Sequence, residues 1–332
     1  MTTRRPLSRI FTIATLSLTC AVTAVPQAAA QDAARGAALL AEARTALGGA
    51  DKLSAVKTIE MKSDFKRSLG QNTMEGELEL RLALPDKLRR DEDTSLPGGG
   101  PAIVRTEVLN GSQVWEENSG NAGMFMRRGG GFGGGGRGQG GGAQAGADAV
   151  RGRGIDPAQL EELQRRARQT DLARLTLIWL LMTDQPVAWV GTAQAPDGVA
   201  DVLEIGGSSG PAPQEGPGPR TGTPVRLFLD QSSHIPLMLT WQGAAPQVFR
   251  GGRGRGGAPA GDQPGPGRAG PSDPPTPRTP ATLQMTLSDY KTVNGIKLPH
   301  LITRGANGQT MEEWSVSSYK LNPSFKADVF NK

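Results

Sequence analysis

The chain has 332 residues, 46 of them glycine and 25 proline, with 37 basic against 32 acidic side chains and one cysteine. So much glycine and proline means that the folded part is smaller than the chain. The net charge of +5 is local: three arginines and no acid precede residue 31, and segments 127–154 and 250–280 carry ten arginines against three aspartates, which leaves 24 basic and 29 acidic residues elsewhere. That balance gives no general basic surface, and no nucleic acid is expected as a partner.

Arg4, Arg5 and Arg9 precede an apolar run from Ile10 to about Val25, and Gln27-Ala28-Ala29-Ala30 follows with small residues where a signal peptidase reads them. Residues 1–30 are therefore expected to be an export signal cut before Gln31, the run being short and threonine-rich for a membrane span. Thr3-Arg4-Arg5-Pro6-Leu7 partly resembles a twin-arginine signal, but Pro6 is unusual there and general secretion fits better. The cysteine, Cys20, lies inside the run and has no lipobox before it. The remaining chain then offers no disulfide, thiolate nucleophile or thiolate metal site.

Asp32 is placed to cap a helix running to about Leu47, with Leu39, Leu40, Ala43 and Leu47 on one stripe and Gly48-Gly49 as the stop. A short turn at Ala50 to Val56 leads to a strand in which Ile59, Met61 and Phe65 alternate with Glu60, Lys62, Asp64 and Lys66. After Gly70-Gln71-Asn72 comes the clearest alternation in the chain: Met74, Leu78, Leu80, Leu82 and Leu84 against Glu75, Glu77, Glu79 and Arg81. The two runs predict an antiparallel hairpin, and Gly76 predicts a bend or bulge in it. Burying five such side chains at about 1.5–3 kcal/mol each gives roughly 10 kcal/mol, an upper figure. Strands follow at Lys87 to Thr94, Ile103 to Leu109 and Gln113 to Glu117, the last two joined by an Asn110-Gly111 turn.

Residues 129–142 are almost all glycine and cannot bury enough apolar surface to order themselves, so 127–154 reads as a disordered insertion. Asp156-Pro157 then opens a helix to about Met182, amphipathic at Leu160, Leu163 and Ala167 and apolar nearly all round from Leu172. Strands resume at Val187 to Ala193, Val199 to Ile205, Val225 to Asp230 and Leu237 to Trp241. A second disordered insertion, 250–280, interrupts them. Past it come Thr282 to Tyr290, Lys297 to Arg304 and Thr310 to Leu321, separated by Asn294-Gly295 and Asn307-Gly308. About twelve strand-like runs and one central helix predict an antiparallel meander, and residues 31–332 form one domain with two insertions.

Strings that resemble catalytic motifs do not hold up. Gly206-Gly207-Ser208-Ser209-Gly210 matches a nucleophile elbow, but Pro211-Ala212-Pro213 follows where a helix is needed. His234 and His300 each lie by a proline and make no i, i+4 pair for zinc. Glu116-Glu117, Glu161-Glu162 and Glu312-Glu313 are sequence neighbours that diverge, so they read as solvated charge and not as a paired-carboxylate site. Arg250, Arg253 and Arg255, in an arginine-glycine run behind an export signal, are candidate contacts to an anionic lipid surface or an envelope protein. Met124, Phe125 and Met126 suit either a partner anchor or a hairpin tip.

Several stretches together resemble the periplasmic lipoprotein-carrier superfamily, the LolA/LolB-like proteins. They are Pro85-Asp86-Lys87-Leu88-Arg89 after a long strand, Val108-Leu109-Asn110-Gly111-Ser112-Gln113-Val114-Trp115, Leu227-Phe228-Leu229-Asp230 leading to Ile235-Pro236-Leu237, and Ser288-Asp289-Tyr290 with Val293-Asn294-Gly295-Ile296-Lys297-Leu298-Pro299-His300 before Glu313-Trp314 and Asn322-Pro323. The resemblance spans Ala33 to Phe330 apart from the two insertions. It implies an α+β fold, a curved antiparallel sheet of about 10–12 strands forming an unclosed half-barrel with helices in the concave side, around an apolar cavity for acyl chains. The expected lining is Met61, Phe65, Met74, Leu78, Leu80, Leu82, Trp115, Leu175, Trp179, Phe228, Met238, Trp241 and Met285. The functional expectation is a monomeric, non-catalytic protein of the periplasm or cell envelope that binds an acyl chain or lipoprotein, without metal or cofactor. The alternative is an envelope interaction or sensor module that works through its arginine-rich loops.

Overall fold

The computed structural model describes residues 24–69, 72–96, 100–119, 156–195, 198–207, 223–244 and 280–332. Residues 1–23, the glycine tract with Met124 to Met126, Ser208, and the run with Arg250, Arg253 and Arg255 lie outside them. Twelve strands make one antiparallel sheet: β1 Thr58–Leu69, β2 Asn72–Ala83, β3 Lys87–Leu96, β4 Gly100–Asn110, β5 Gln113–Ser119, β6 Val187–Ala195, β7 Gly198–Ile205, β8 Val225–Asp230, β9 Pro236–Ala244, β10 Pro280–Val293, β11 Ile296–Ala306 and β12 Gln309–Leu321. Every strand expected from alternation is present, with ends shifted by a few residues.

The spatial order is β5-β4-β3-β2-β1-β12-β11-β10-β9-β8-β7-β6, so two meanders meet where the first strand pairs with the last. The sheet is unclosed, with β5 and β6 at its two edges. The chain must therefore travel from one edge to the other between β5 and β6. Helix α3, Pro157–Leu180, lies on that route, about 36 Å long at 1.5 Å per residue. Asp156 caps it by accepting from the Ala158 N–H at 3.0 Å, and Leu181 ends it in the left-handed region at φ 51°.

Helix α1 runs Ala24–Leu47 and the short α2 Ala50–Ala55. Asp32 is thus inside α1 and does not cap it, because the alanine-rich stretch before it continues the helix upstream and Pro26 falls in the first turn, where proline is tolerated. The stripe Leu39, Leu40, Ala43 and Leu47 is buried as expected. These side chains share one core with Leu53 of α2, Leu172 to Leu181 of α3, and strand residues from both meanders. In α3 the expected stripe of the first half is not buried; Leu163 is 56% exposed. That half is attached by charge, with Arg168 2.7 Å from Glu107 on β4.

Gly76 marks no bulge. Its pairing with Phe65 on β1 and Thr94 on β3 is in register with its neighbours. The glycine serves close approach: a Cβ there would run into the Asp93 carbonyl and stand 2.9 Å from the Phe65 ring. Gly76→Ala is therefore expected to lower stability by about 1–3 kcal/mol as an overpacked site, measurable as a shift in urea midpoint at constant m-value.

Candidate ligand-binding site

The clearest cavity among the described residues lies where the three helices meet the turn between β2 and β3. Its volume is about 430 Å³, within the range of small-molecule sites. Leu53, Leu84, Pro85, Leu180 and Met182 make its apolar wall, and Arg44, Asp51, Ser54, Thr183 and Asp184 bring polar groups to it. The wall holds its shape through an anchor between helices: Arg44 donates Nε and Nη2 to the Leu181 carbonyl at 3.1 and 2.9 Å. This saturates the end of α3 where its own ladder stops. Inside α3, Thr176 Oγ1 donates back to the Leu172 carbonyl at 2.8 Å, so its hydroxyl is satisfied beside the cavity.

None of the thirteen residues expected to line a cavity lines this one. Nine of them, Met61, Phe65, Leu78, Leu80, Leu82, Leu175, Trp179, Trp241 and Met285, belong to the common core under the helices. Leu78, Leu80 and Leu82 are at most 1% exposed, so protein alone covers them. Met74 is on the same face of β2 but half-buried, opposite Arg67. The other three point away from the helices. Phe228 and Met238 pair with each other between core residues Leu227, Leu229 and Leu239, and Phe228 packs on a small cluster of Ala195, Ala200 and Leu237 on the far face. Trp115 pairs with Val108, which alternates with core residue Leu109, and its Nε1 donates to the Phe330 carbonyl at 3.4 Å.

The acidic pairs also divide. Glu312 is not solvated: it is 7% exposed, and it receives Arg67 at 2.8 Å, Arg304 at 3.4 Å and the Trp314 indole N–H at 2.9 Å. Burial alone would raise its carboxyl, but Arg304, Arg90 and Arg67 and the indole bond hold it down at about 2. Glu92, also buried, is lowered against its own burial by Arg90 and Arg67. Glu116 pairs with Arg105 at 3.0 Å and Arg168 at 3.5 Å. His300 Nδ1 lies 3.1 Å from the Leu298 carbonyl, and His234 sits in the turn before β9 at φ 56°. Among the described residues no three His, Cys, Asp or Glu side chains gather in a metal-holding arrangement, and no helix is long and apolar enough to cross a membrane.

No family model matches the chain, and no curated protein matches it. Among solved structures, a LolA superfamily protein from Nitrosomonas europaea is similar over 90% of this chain and 97% of its own, at 10% identity and a TM-score of 0.41. A domain from Vibrio parahaemolyticus, provisionally described as an outer membrane lipoprotein-sorting protein, is similar over 90% and 97%, at 10% identity and a TM-score of 0.39. A DUF1329 family protein from Desulfovibrio piger is similar over 89% and 96%, at 8% identity and a TM-score of 0.39. The superfamily that the sequence resembles is thus represented among the structural neighbours. Values this low carry no function across.

Proposed function

We propose that this chain is an exported, non-catalytic binding protein that holds an acyl chain or similar amphiphile, with its helices laid in the concave side of an unclosed half-barrel. The observation that supports this is the 430 Å³ cavity at the meeting of α1, α2, α3 and the β2–β3 turn, apolar in its wall and polar at Arg44, Asp51 and Asp184. An alkyl chain gains about 0.8 kcal/mol for each methylene it buries there, and the polar groups face its other end. In this reading the nine core residues expected as lining form the dry floor that supports the cavity. The tail enters beside them, between Leu53, Leu180 and Met182.

The experiment pairs two measurements on the chain after export. Native mass spectrometry of protein purified from a bacterial envelope is expected to find a co-purified amphiphile, and a fluorescent fatty acid is expected to bind and be displaced by unlabelled fatty acid. Met182→Trp, which places a large ring at a half-buried position of the wall, should weaken that uptake by roughly tenfold, equal to 1.4 kcal/mol, at an unchanged unfolding midpoint. No co-purified lipid together with no uptake by the native chain would sink the proposal.

A further inference from the structure

The cavity beside the β2–β3 turn carries an unequal set of charges. Three of its lining residues are charged, Arg44, Asp51 and Asp184. Arg44 is already engaged, with two of its N–H groups on the Leu181 carbonyl at 3.1 and 2.9 Å. That carbonyl closes the C-terminal end of α3, a 24-residue helix whose macrodipole leaves partial negative charge there, so the guanidinium offsets the helix end. The two carboxylates come from separate elements, Asp51 from the first turn of α2 and Asp184 from the segment between α3 and β6. Both are exposed, and among the described residues neither has an ion-pair partner.

The lysines of the same region are directed elsewhere. Lys57 donates Nζ to the Ser54 carbonyl at 2.8 Å, and Lys52 Nζ stands over Gly295, 2.9 Å from where a Cβ would lie. Neither lysine lines the cavity. The arginines around Glu92 and Glu312 lie towards the other end of β2: Arg67 pairs with Met74, whereas the cavity is at Leu84. The polar side of the cavity therefore has a negative balance, opposite an apolar wall of Leu53, Leu180 and Met182.

We infer that this cavity takes an amphiphile whose polar end is a primary ammonium facing the carboxylates of Asp51 and Asp184, with its alkyl chain against Leu53, Leu180 and Met182. The inference rests on the binding reading given above and narrows its ligand. An ammonium brings three N–H donors to the two carboxylates, whereas a carboxylate head meets two like charges. A quaternary ammonium is recognised over aromatic faces, and among the described residues no aromatic side chain lines the cavity.

The test compares one tail with different heads on the full chain at pH 7: dodecylamine, dodecyltrimethylammonium, dodecanol and dodecanoate, each below its micellar concentration. Each displaces the neutral fluorescent probe N-phenyl-1-naphthylamine. Dodecylamine should bind roughly tenfold more tightly than dodecanol, the ratio that two exposed ion pairs supply together, and dodecanoate should bind least. Added salt should narrow the gap. In the double variant Asp51→Asn with Asp184→Asn the amine should fall to the level of dodecanol, whose own affinity stays unchanged. Asp184→Asn alone, outside every helix and strand, should lose part of the gap and decides the matter if the double variant does not fold. An amine no tighter than dodecanol, or an advantage that survives both variants, overturns the inference while dodecanol binding leaves the cavity reading in place. Parity of dodecyltrimethylammonium with the amine overturns the primary ammonium. Displacement by none of the four sinks the binding reading itself.

Discussion

Glu312→Ala is expected to lower the stability of this protein by about 3–5 kcal/mol, because it removes the shared partner of three half-buried arginines. Arg67, Arg90 and Arg304 converge on that carboxylate, and the Trp314 indole N–H loses its acceptor as well. Urea unfolding measures the loss, and a change below about 1 kcal/mol would show that water already satisfies the cluster. The same carboxylate sets an acid limb. Its folded value of about 2 lies below its ordinary 4.5, so its contribution is complete above pH 4.5 and is lost as pH falls towards 2. The difference is worth about 3 kcal/mol by linkage. Glu92 is lowered too and acts in the same direction. The alanine variant should therefore show a flatter dependence of stability on pH below 4.5 than its parent. Equal slopes would contradict the assignment.

Phe330→Ala should cost about 3 kcal/mol, the usual scale for a buried phenylalanine. Its ring is 6% exposed, edge-on to Phe325 at 5.7 Å and under the Lys87 ammonium at 5.8 Å. The backbone around it closes the outer face of β3 to β5: Arg89 donates to the Val329 carbonyl at 2.8 Å and Trp115 to the Phe330 carbonyl at 3.4 Å. Val108, wholly buried beside Trp115 without joining the main core, depends on that cover. Thermal unfolding measures the cost, and a red shift of Trp115 emission in the native state reports the uncovering. Unchanged stability and emission would mean that the last ten residues add nothing to the fold.

The strands were legible because alternation and Asn-Gly turns are local signals. Each hairpin from β1 to β5 and from β10 to β12 shows the pairing expected from adjacent runs. The stripe on α1 and the cap and proline of α3 were legible for the same reason. The faces were harder. Alternation separates two rows of side chains without saying which lies under the helices, and here both faces bury apolar groups, as Val108 and Val202 show on the outer side. Trp115, Phe228 and Met238 were expected to line the half-barrel cavity, and they lie on the other row.

The site was the least legible part. Arg90, Glu92 and Glu312 have the sequence look of solvated charge, because the partners that bury them come from strands far apart in the chain: Arg67 meets Glu312 across 245 positions. The cavity at Leu53, Leu84 and Leu180 has no motif at all. It lies where Arg44 holds the end of α3 beside the β2–β3 turn. What the amino-acid sequence determined by itself is the list of elements among the described residues and their antiparallel hairpins, since period and turn chemistry act between near neighbours. Tertiary structure alone decided the meeting of β1 with β12, the row of each strand that faces the helices, the burial of charge at one end and the cavity at the other. Those depend on contacts between residues that the chain brings together only when it folds.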